Sequence, residues 1–304
     1  MARAVAFWRF ASSVARLEPQ EYRRRTGMRR TGRTRLVAAV VIGAAVCLAA
    51  APAPAVDWQT LEPGLEYADV ESPIASADGD SRIRVLRIDP ARFSIELFNA
   101  SAAADGVRRT ARQWAVENDL VAAINASLYQ ADYRTSTSLM RSRQHVNNPR
   151  LSRHNAVLLF DRHDAGVPPV QLVDRTCRDL GPIAERYAGA VQGIRMISCH
   201  RVNVWTQQPR QWSNAAVGID EKGRLLFLHM RAPLSTHDFA EALLRLPIGL
   251  RETMYVEGGP EAQLFVSAGG QEFETVGSHG SSGLAALANG WALPVPNVIG
   301  VKRR

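Results

Sequence analysis

Residues 254–266 read M-Y-V-E-G-G-P-E-A-Q-L-F-V. Tyr255 and Val256 favour extended backbone, Gly258-Gly259-Pro260 cannot continue a strand ladder, and Leu264-Phe265-Val266 is apolar again. The pattern predicts a strand that ends at a sharp corner carrying Glu257. A carboxylate then stands where backbone can approach a ligand closely. The glycines of such a corner serve either a positive φ or the absence of a side chain beside a substrate, and both uses stay open at this stage. The competing reading is a hairpin turn with an exposed glutamate.

Upstream of the corner, Thr236–Leu246 predicts a helix with Thr236 as N-cap, Asp238 in its first turn and Ala240, Leu243, Leu244 and Leu246 as its buried stripe. Pro247 stops it. Residues 215–219 and 225–230 flank Asp220-Glu221-Lys222-Gly223 and read as a hairpin. Residues 188–197 form a strand carrying Arg195, and residues 156–160 form another. Residues 83–88 and 93–97 alternate around Asp89-Pro90-Ala91, which predicts a second hairpin. Residues 107–119 read as an amphipathic helix, and residues 120–124 as a short strand that delivers Asn125 at its end. Between them and the strand at 156, residues 135–153 are polar, rich in Arg, Ser, His and Asn, and without period. Such a loop inside a compact domain is functional or disordered. The fold class expected is α+β: mixed, largely antiparallel sheets with a few packed helices, in a single domain at 82–304 after an irregular lead-in or edge strand at 56–81.

The chain has 304 residues and a net charge of +8, which by itself suggests an anionic partner. Its location removes that inference. Ten of the 37 basic residues and two of the 29 acidic ones lie in residues 1–35, so the 27 of each sign that follow cancel. Nucleic acid is therefore excluded as a partner of the domain. After Arg35 comes an apolar run from Leu36 to Ala51, then Pro52-Ala53-Pro54-Ala55. A basic segment, a short apolar segment and Ala53-x-Ala55 describe a secretory signal cleaved after Ala55, within a leader spanning residues 1–55. The run is short of the roughly 20 residues a membrane span needs, so the membrane is met only during export, to a secreted or periplasmic destination. Translation from Met28 gives a signal of ordinary length, and residues 1–27 read as a misassigned start.

Removal of the leader takes Cys47 with it and leaves Cys177 and Cys199. In an exported chain these are most economically one disulfide closing a loop of about 22 residues, against two buried free thiols. No Cys/His spacing suited to zinc is present. His237 beside the helix start reads as a surface residue, and His279 in G-S-H-G-S-S-G (277–283) as a linker residue.

Four stretches in order carry a resemblance: I-N-A (124–126), A-A-V-G-I-D-E-K-G-R-L (215–225), the corner at 254–266, and P-V-P-N-V-I-G-V (294–301). Together they resemble the phosphodiester glycosidase family, over roughly residues 82–301. The resemblance implies an exported hydrolase of a sugar-1-phosphate diester or a related envelope glycan, in a bacterial envelope branch. A noncatalytic envelope glycan-binding module on the same fold is the alternative. Three positions depart from the family pattern. Val256-Glu257-Gly258-Gly259 stands for Leu-Asp-Gly-Gly, Ser127 follows Asn125-Ala126 where Gly is usual, and Ser213-Asn214 precedes the 215–219 strand where an Arg is common.

Cleaving such a diester at the anomeric carbon needs little leaving-group protonation. It does need cations or amides around the phosphate, a carboxylate near the anomeric carbon and hydrogen-bonding groups for the sugar. Arg141, Arg143, His145, Asn147 and Asn148 suit the first task, with Arg195 or Arg210 in place of the family arginine. Glu257 suits the second as base or nucleophile, with Asp132 as second carboxylate at roughly 5 to 9.5 Å. Asn125 suits the third, and Gly258 and Gly259 let the backbone close on the ligand. No cofactor is required, although a divalent metal near Glu257 and Asp132 stays open. The expected partner is a sugar phosphate or an envelope polysaccharide.

Overall fold

Strands far outnumber helices among the described residues, because nearly every apolar run here alternates with period two or is short and β-branched. The computed structural model describes residues 55–278 and 291–304. Residues 1–54 of the leader and His279 lie outside the described residues. Among the described residues no helix is long and apolar enough to cross a membrane.

In chain order the elements are β1 (Gln59–Glu62), β2 (Leu65–Glu71), β3 (Arg82–Ile88), β4 (Phe93–Asn99), α1 (Ala111–Asn118), β5 (Ala122–Asn125), β6 (Met140–Arg141), β7 (Val146–Asn148), β8 (Ala156–Arg162) and β9 (Val170–Asp174). They continue with α2 (Leu180–Ala184), β10 (Tyr187–Ile197), β11 (Trp212–Asp220), β12 (Leu225–Leu234), α3 (Thr236–Arg245), β13 (Leu250–Gly258), β14 (Gln263–Ala268), β15 (Gln271–Val276) and β16 (Asn297–Arg303). A single 3-10 turn, Gly259–Glu261, joins β13 to β14.

Two antiparallel sheets result. The larger runs β1-β2-β3-β12-β11-β13-β10-β6-β7, with β8 and β9 branching from β10; the smaller runs β15-β14-β5-β16-β4. Their facing sides share one core, in which Leu86, Val217, Phe227, Met254 and Val256 of the larger sheet meet Ile95, Ile124, Leu264 and Ile299 of the smaller. The outer face of the larger sheet is covered by Phe239, Ala240 and Leu243 of α3. That of the smaller is covered by Ala111, Trp114 and Ala115 of α1. The fold is thus predominantly β, with helices as thin covers, rather than a balanced α+β arrangement.

The alternating runs at 83–97 do not form a hairpin. β3 pairs with β2 and β12 in the larger sheet, whereas β4 pairs with β16 in the smaller. Asp89-Pro90 turns the chain from one layer to the other, so both strands still face the shared core. α1 begins at Ala111 rather than at residue 107, because Arg109 is held in an extended bridge to Val295 and Thr110 closes a capping box with Gln113. The polar stretch 135–153 adds β6 and β7 to the edge of the larger sheet. The hairpin at 215–230 and the strand carrying Arg195 appear as expected. Cys177 and Cys199 are disulfide-bonded, which on the chain-entropy account contributes about 3 kcal/mol.

The N-cap of α3 is Ser235, not Thr236. Ser235 has extended backbone and its hydroxyl accepts from the Asp238 N–H at 3.0 Å, while the buried Thr236 hydroxyl donates to Asn214 Oδ1 at 3.0 Å. Ser235→Ala is expected to lower unfolding free energy by about 1 kcal/mol, with Ser235→Asp retaining most of it. A urea midpoint unchanged by the alanine would show that the cap does not hold this helix.

Candidate active site

β13 carries the glutamate, and a β-bulge aims it. Ala215 pairs with Glu257 but Ala216 pairs with Tyr255, so Val256 is the extra residue. Directly paired residues share a face, and Ala215 lies on the side that meets the smaller sheet. Glu257 is therefore turned inward beside Val256 instead of outward with Tyr255. On its other flank β13 pairs with β10 only as far as Tyr255. The gap beyond is occupied by the chain leaving β5, where the Ser127 hydroxyl donates to the Gln192 carbonyl at 2.8 Å. Ser127 itself has φ 55°, a left-handed backbone that suits glycine.

The corner after Glu257 uses its two glycines differently. Gly258 has φ −128°, ordinary extended backbone; a Cβ there would lie 2.2 Å from the Tyr255 hydroxyl oxygen and 2.7 Å from the Ser213 carbonyl oxygen. Gly259 has φ +67°. One is a close approach and the other a left-handed turn. The chain is pinned behind them at the Ala262 carbonyl, which accepts from the Gly277 N–H at 2.7 Å and from His229 Nε2 at 3.1 Å. Burial pushes the fully enclosed His229 down to about 3, so its ring is neutral and its Nε2–H donates to the carbonyl.

Asn125, Ser127, Tyr129, Glu257, Glu261, Val295, Pro296 and Asn297 line a narrow, tightly closed cleft between the ends of β13, β5 and β16. Glu257 is the electrostatic centre. Burial raises its carboxyl pKa to about 7; the Gly258 N–H, 3.3 Å from Oε1, opposes this, and the neighbouring Glu261 charge adds to it. The Tyr129 hydroxyl donates to Glu261 Oε1 at 3.2 Å. Asn125 Oδ1 accepts from the Gln263 N–H at 3.0 Å, and Asn297 Oδ1 accepts from Asn99 Nδ2 at 2.7 Å. Those bonds fix both amides. Their Nδ2 groups are buried and have no partner among the described residues. Two unmet donors beside two carboxyl groups make a site that can hold a polar oxygen ligand.

Of the residues expected at a site, Asn125, Glu257 and the Gly258-Gly259 corner are brought together. The others are not at the cleft. Asp132 lies in an exposed turn and accepts from the Arg134 and Thr135 N–H groups at 3.0 and 2.9 Å. Arg141 donates to the Ala184 and Tyr187 carbonyls, and Arg143 pairs with Asp161 at 2.6 Å. His145 and Asn147 meet at Ser101, and the Asn148 amide donates to the Ser136 carbonyl at 2.7 Å. Arg195 bonds both oxygens of the buried Asp174 at 3.0 Å. Where the family arginine was expected, the Ser213 hydroxyl accepts from the Ser278 N–H at 2.7 Å. Asn99 and Asn125, both in formal glycosylation sequons, are buried. Among the described residues, the one cluster of three metal-ligating side chains is Cys177, Cys199 and His200, and its sulfurs are joined to each other.

Sequence reading missed Glu261, Tyr129, Asn297 and His229. Glu261 and Asn297 sit inside the motifs already singled out, Glu261 one 3-10 turn beyond Glu257. A larger groove runs along the free edge of β4, past Ser142–Gln144 to Arg304, yet Arg304 and Arg143 are both engaged there. Chemistry, not volume, favours the narrow cleft.

A family profile described as phosphodiester glycosidase matches residues 118–302. The catalytic domain of zebrafish N-acetylglucosamine-1-phosphodiester α-N-acetylglucosaminidase, auto-inhibited by its pro-peptide, superposes with a TM-score of 0.57 at 14% identity, covering 83% of this chain and 87% of that one. A hypothetical protein from Synechocystis gives a TM-score of 0.54 at 14% identity, covering 83% of this chain and 64% of that one. At such identity the likeness is one of fold. No curated protein matches the sequence.

Proposed function

The chain belongs to the phosphodiester glycosidase family, and from that premise we propose that it is an exported hydrolase that cleaves a sugar-1-phosphate diester or a related envelope glycan at the Glu257 cleft. One observation carries the reading: a desolvated carboxyl group, its pKa raised to about 7, lines one cleft with two carboxamides whose Nδ2 groups have no partner among the described residues. A proton-transfer group works best when its pKa lies near the working pH. Water attacks the anomeric carbon as the bond from that carbon to the phosphoryl oxygen breaks. Glu257 takes the proton of the water, and the phosphomonoester departs as an anion. The Glu261 carboxylate offsets the positive charge that develops at the sugar, in the place first expected for Asp132. Asn125 and Asn297 donate to sugar oxygens. The two carboxyl groups suffice for this chemistry without a cofactor. Export is supported by the composition of the leader and by the disulfide.

Incubation with alkyl hexose-1-phosphate diesters in 18O-labelled water tests the reading. Label is expected on the sugar hydroxyl at the anomeric carbon. Label on the phosphate would place the cleavage at phosphorus and overturn it. Binding of wall fragments without any turnover would favour the glycan-binding module.

A further inference from the structure

The cleft has no cation among its described lining residues, whereas two of them are glutamates. A phosphoryl group placed inside would face like charge. Asn125 and Asn297 present neutral donors, suited to hydroxyl or carbonyl oxygens. The arginines first expected to hold phosphate are engaged elsewhere: Arg141 with the Ala184 and Tyr187 carbonyls, Arg143 with Asp161 and Arg195 with Asp174.

One arginine at the mouth differs. Arg108 precedes the Arg109–Val295 bridge, whose two backbone hydrogen bonds of 3.3 and 2.9 Å tie this segment to the cleft wall formed by Val295 and Pro296. Its guanidinium lies over the Tyr133 ring, 5.0 Å from the centroid, and Tyr133 in turn packs on Tyr129 at 5.9 Å between centroids. Its charge reaches the phenol of Tyr129, the cleft residue that bonds Glu261. The nearby carboxylate of Asp105 is taken by Arg109, at 2.6 Å. Among the described residues the Arg108 fork makes a single long hydrogen bond, 3.4 Å to the Pro294 carbonyl, and no ion pair. Among those residues most of its five donors therefore face no acceptor.

We propose that Arg108 is the anion-recognising residue of this site: it holds the phosphoryl group of the substrate at the mouth, while the neutral glycosyl group enters between Asn125, Asn297 and the two glutamates. The division places the bond from the anomeric carbon to oxygen across the position of Glu257. A guanidinium binds two phosphoryl oxygens side by side, and a stacked, partly shielded one holds them more tightly than a fully solvated charge does. The inference rests on the hydrolase reading for its substrate class, but its test uses binding alone.

Isothermal titration of the full chain with glucose 1-phosphate, galactose 1-phosphate and N-acetylglucosamine 1-phosphate, each against its parent sugar, is the experiment. At low salt at least one phosphorylated sugar is expected to bind about tenfold or more tighter than its parent. Arg108→Gln should bring that ratio to about threefold or less with affinity for the parent sugar unchanged, and Arg108→Lys should restore part of it. Both variants should keep the wild-type melting temperature, since the side chain is on the rim. A ratio that survives in Arg108→Gln overturns the proposal, and so does wild-type protein that shows no preference for phosphate or binds none of these sugars. Hydrolysis that survives in Glu257→Gln would instead remove the catalytic role of Glu257 and leave the Arg108 result standing.

Discussion

Replacing Glu257 by Gln is expected to lower kcat/KM for a hexose-1-phosphate diester by about a thousandfold, the scale of a lost general base, while making the protein more stable above pH 5. The two effects share one cause. Burial holds the carboxyl at a pKa of about 7, above the ordinary value of 4.5. Below about pH 4.5 it is protonated in both the folded and the unfolded chain and contributes no difference. Between pH 4.5 and 7 the unfolded chain ionises first, so folding stability falls by about 1.4 kcal/mol per pH unit. Above pH 7 the full cost, roughly 3 to 4 kcal/mol, is present. Glutamine never ionises. Its melting temperature should equal that of the wild type at pH 4.5 and exceed it at pH 8 by several degrees, roughly 5–10 °C. Wild-type kcat/KM should fall about tenfold per unit below pH 7, because the base must be ionised to accept a proton. Thermal melts at pH 4.5, 6 and 8 measure the first effect. An equal difference at all three would mean that the carboxyl is not desolvated, and full activity in the variant would remove its role.

That site was partly legible in the sequence, and the boundary of what was legible has a physical reason. The corner at 254–266, the strand ending at Asn125 and the hairpin at 215–230 are local features, written in β-branched runs and glycines a few residues apart. The disulfide was legible from the cysteine count. What failed depended on partners far along the chain. Residues 83–97 alternate as a hairpin would, yet the choice between pairing with each other and pairing with β12 and β16 is made by strands more than a hundred residues away. Arg195 was a free cation on paper and is bound to Asp174, and Asp132 was a free carboxylate and is the acceptor of its own turn. Glu261 and Asn297 lay inside motifs already in view. Only the bulge at Val256, which has no compositional signature, turns Glu257 toward them.

The second large effect separates the two glycines that follow Glu257. Gly258→Ala puts a methyl group 2.2 Å from the Tyr255 hydroxyl oxygen, 2.5 Å from Trp212 Cδ1 and 2.7 Å from the Ser213 carbonyl oxygen. None of these yields easily, since Tyr255 is buried against Trp205 and Ser213 is strand backbone. Relief must come from moving the end of β13, and Glu257 moves with it. We expect a loss of about 2 to 3 kcal/mol and a drop in kcat/KM of about a hundredfold, the scale of a 1 Å misplacement at a reacting centre. Gly259→Ala is costly for another reason, its φ of +67°, which disfavours an L residue by about 1 to 2 kcal/mol. Asparagine tolerates that conformation, so Gly259→Asn should recover part of what Gly259→Ala loses, whereas Gly258→Asn should be worse than Gly258→Ala. Denaturant midpoints and initial rates on the four variants decide it. If asparagine proves no better than alanine at position 259, left-handed strain is not what selects glycine there, and the corner is held by packing at both positions.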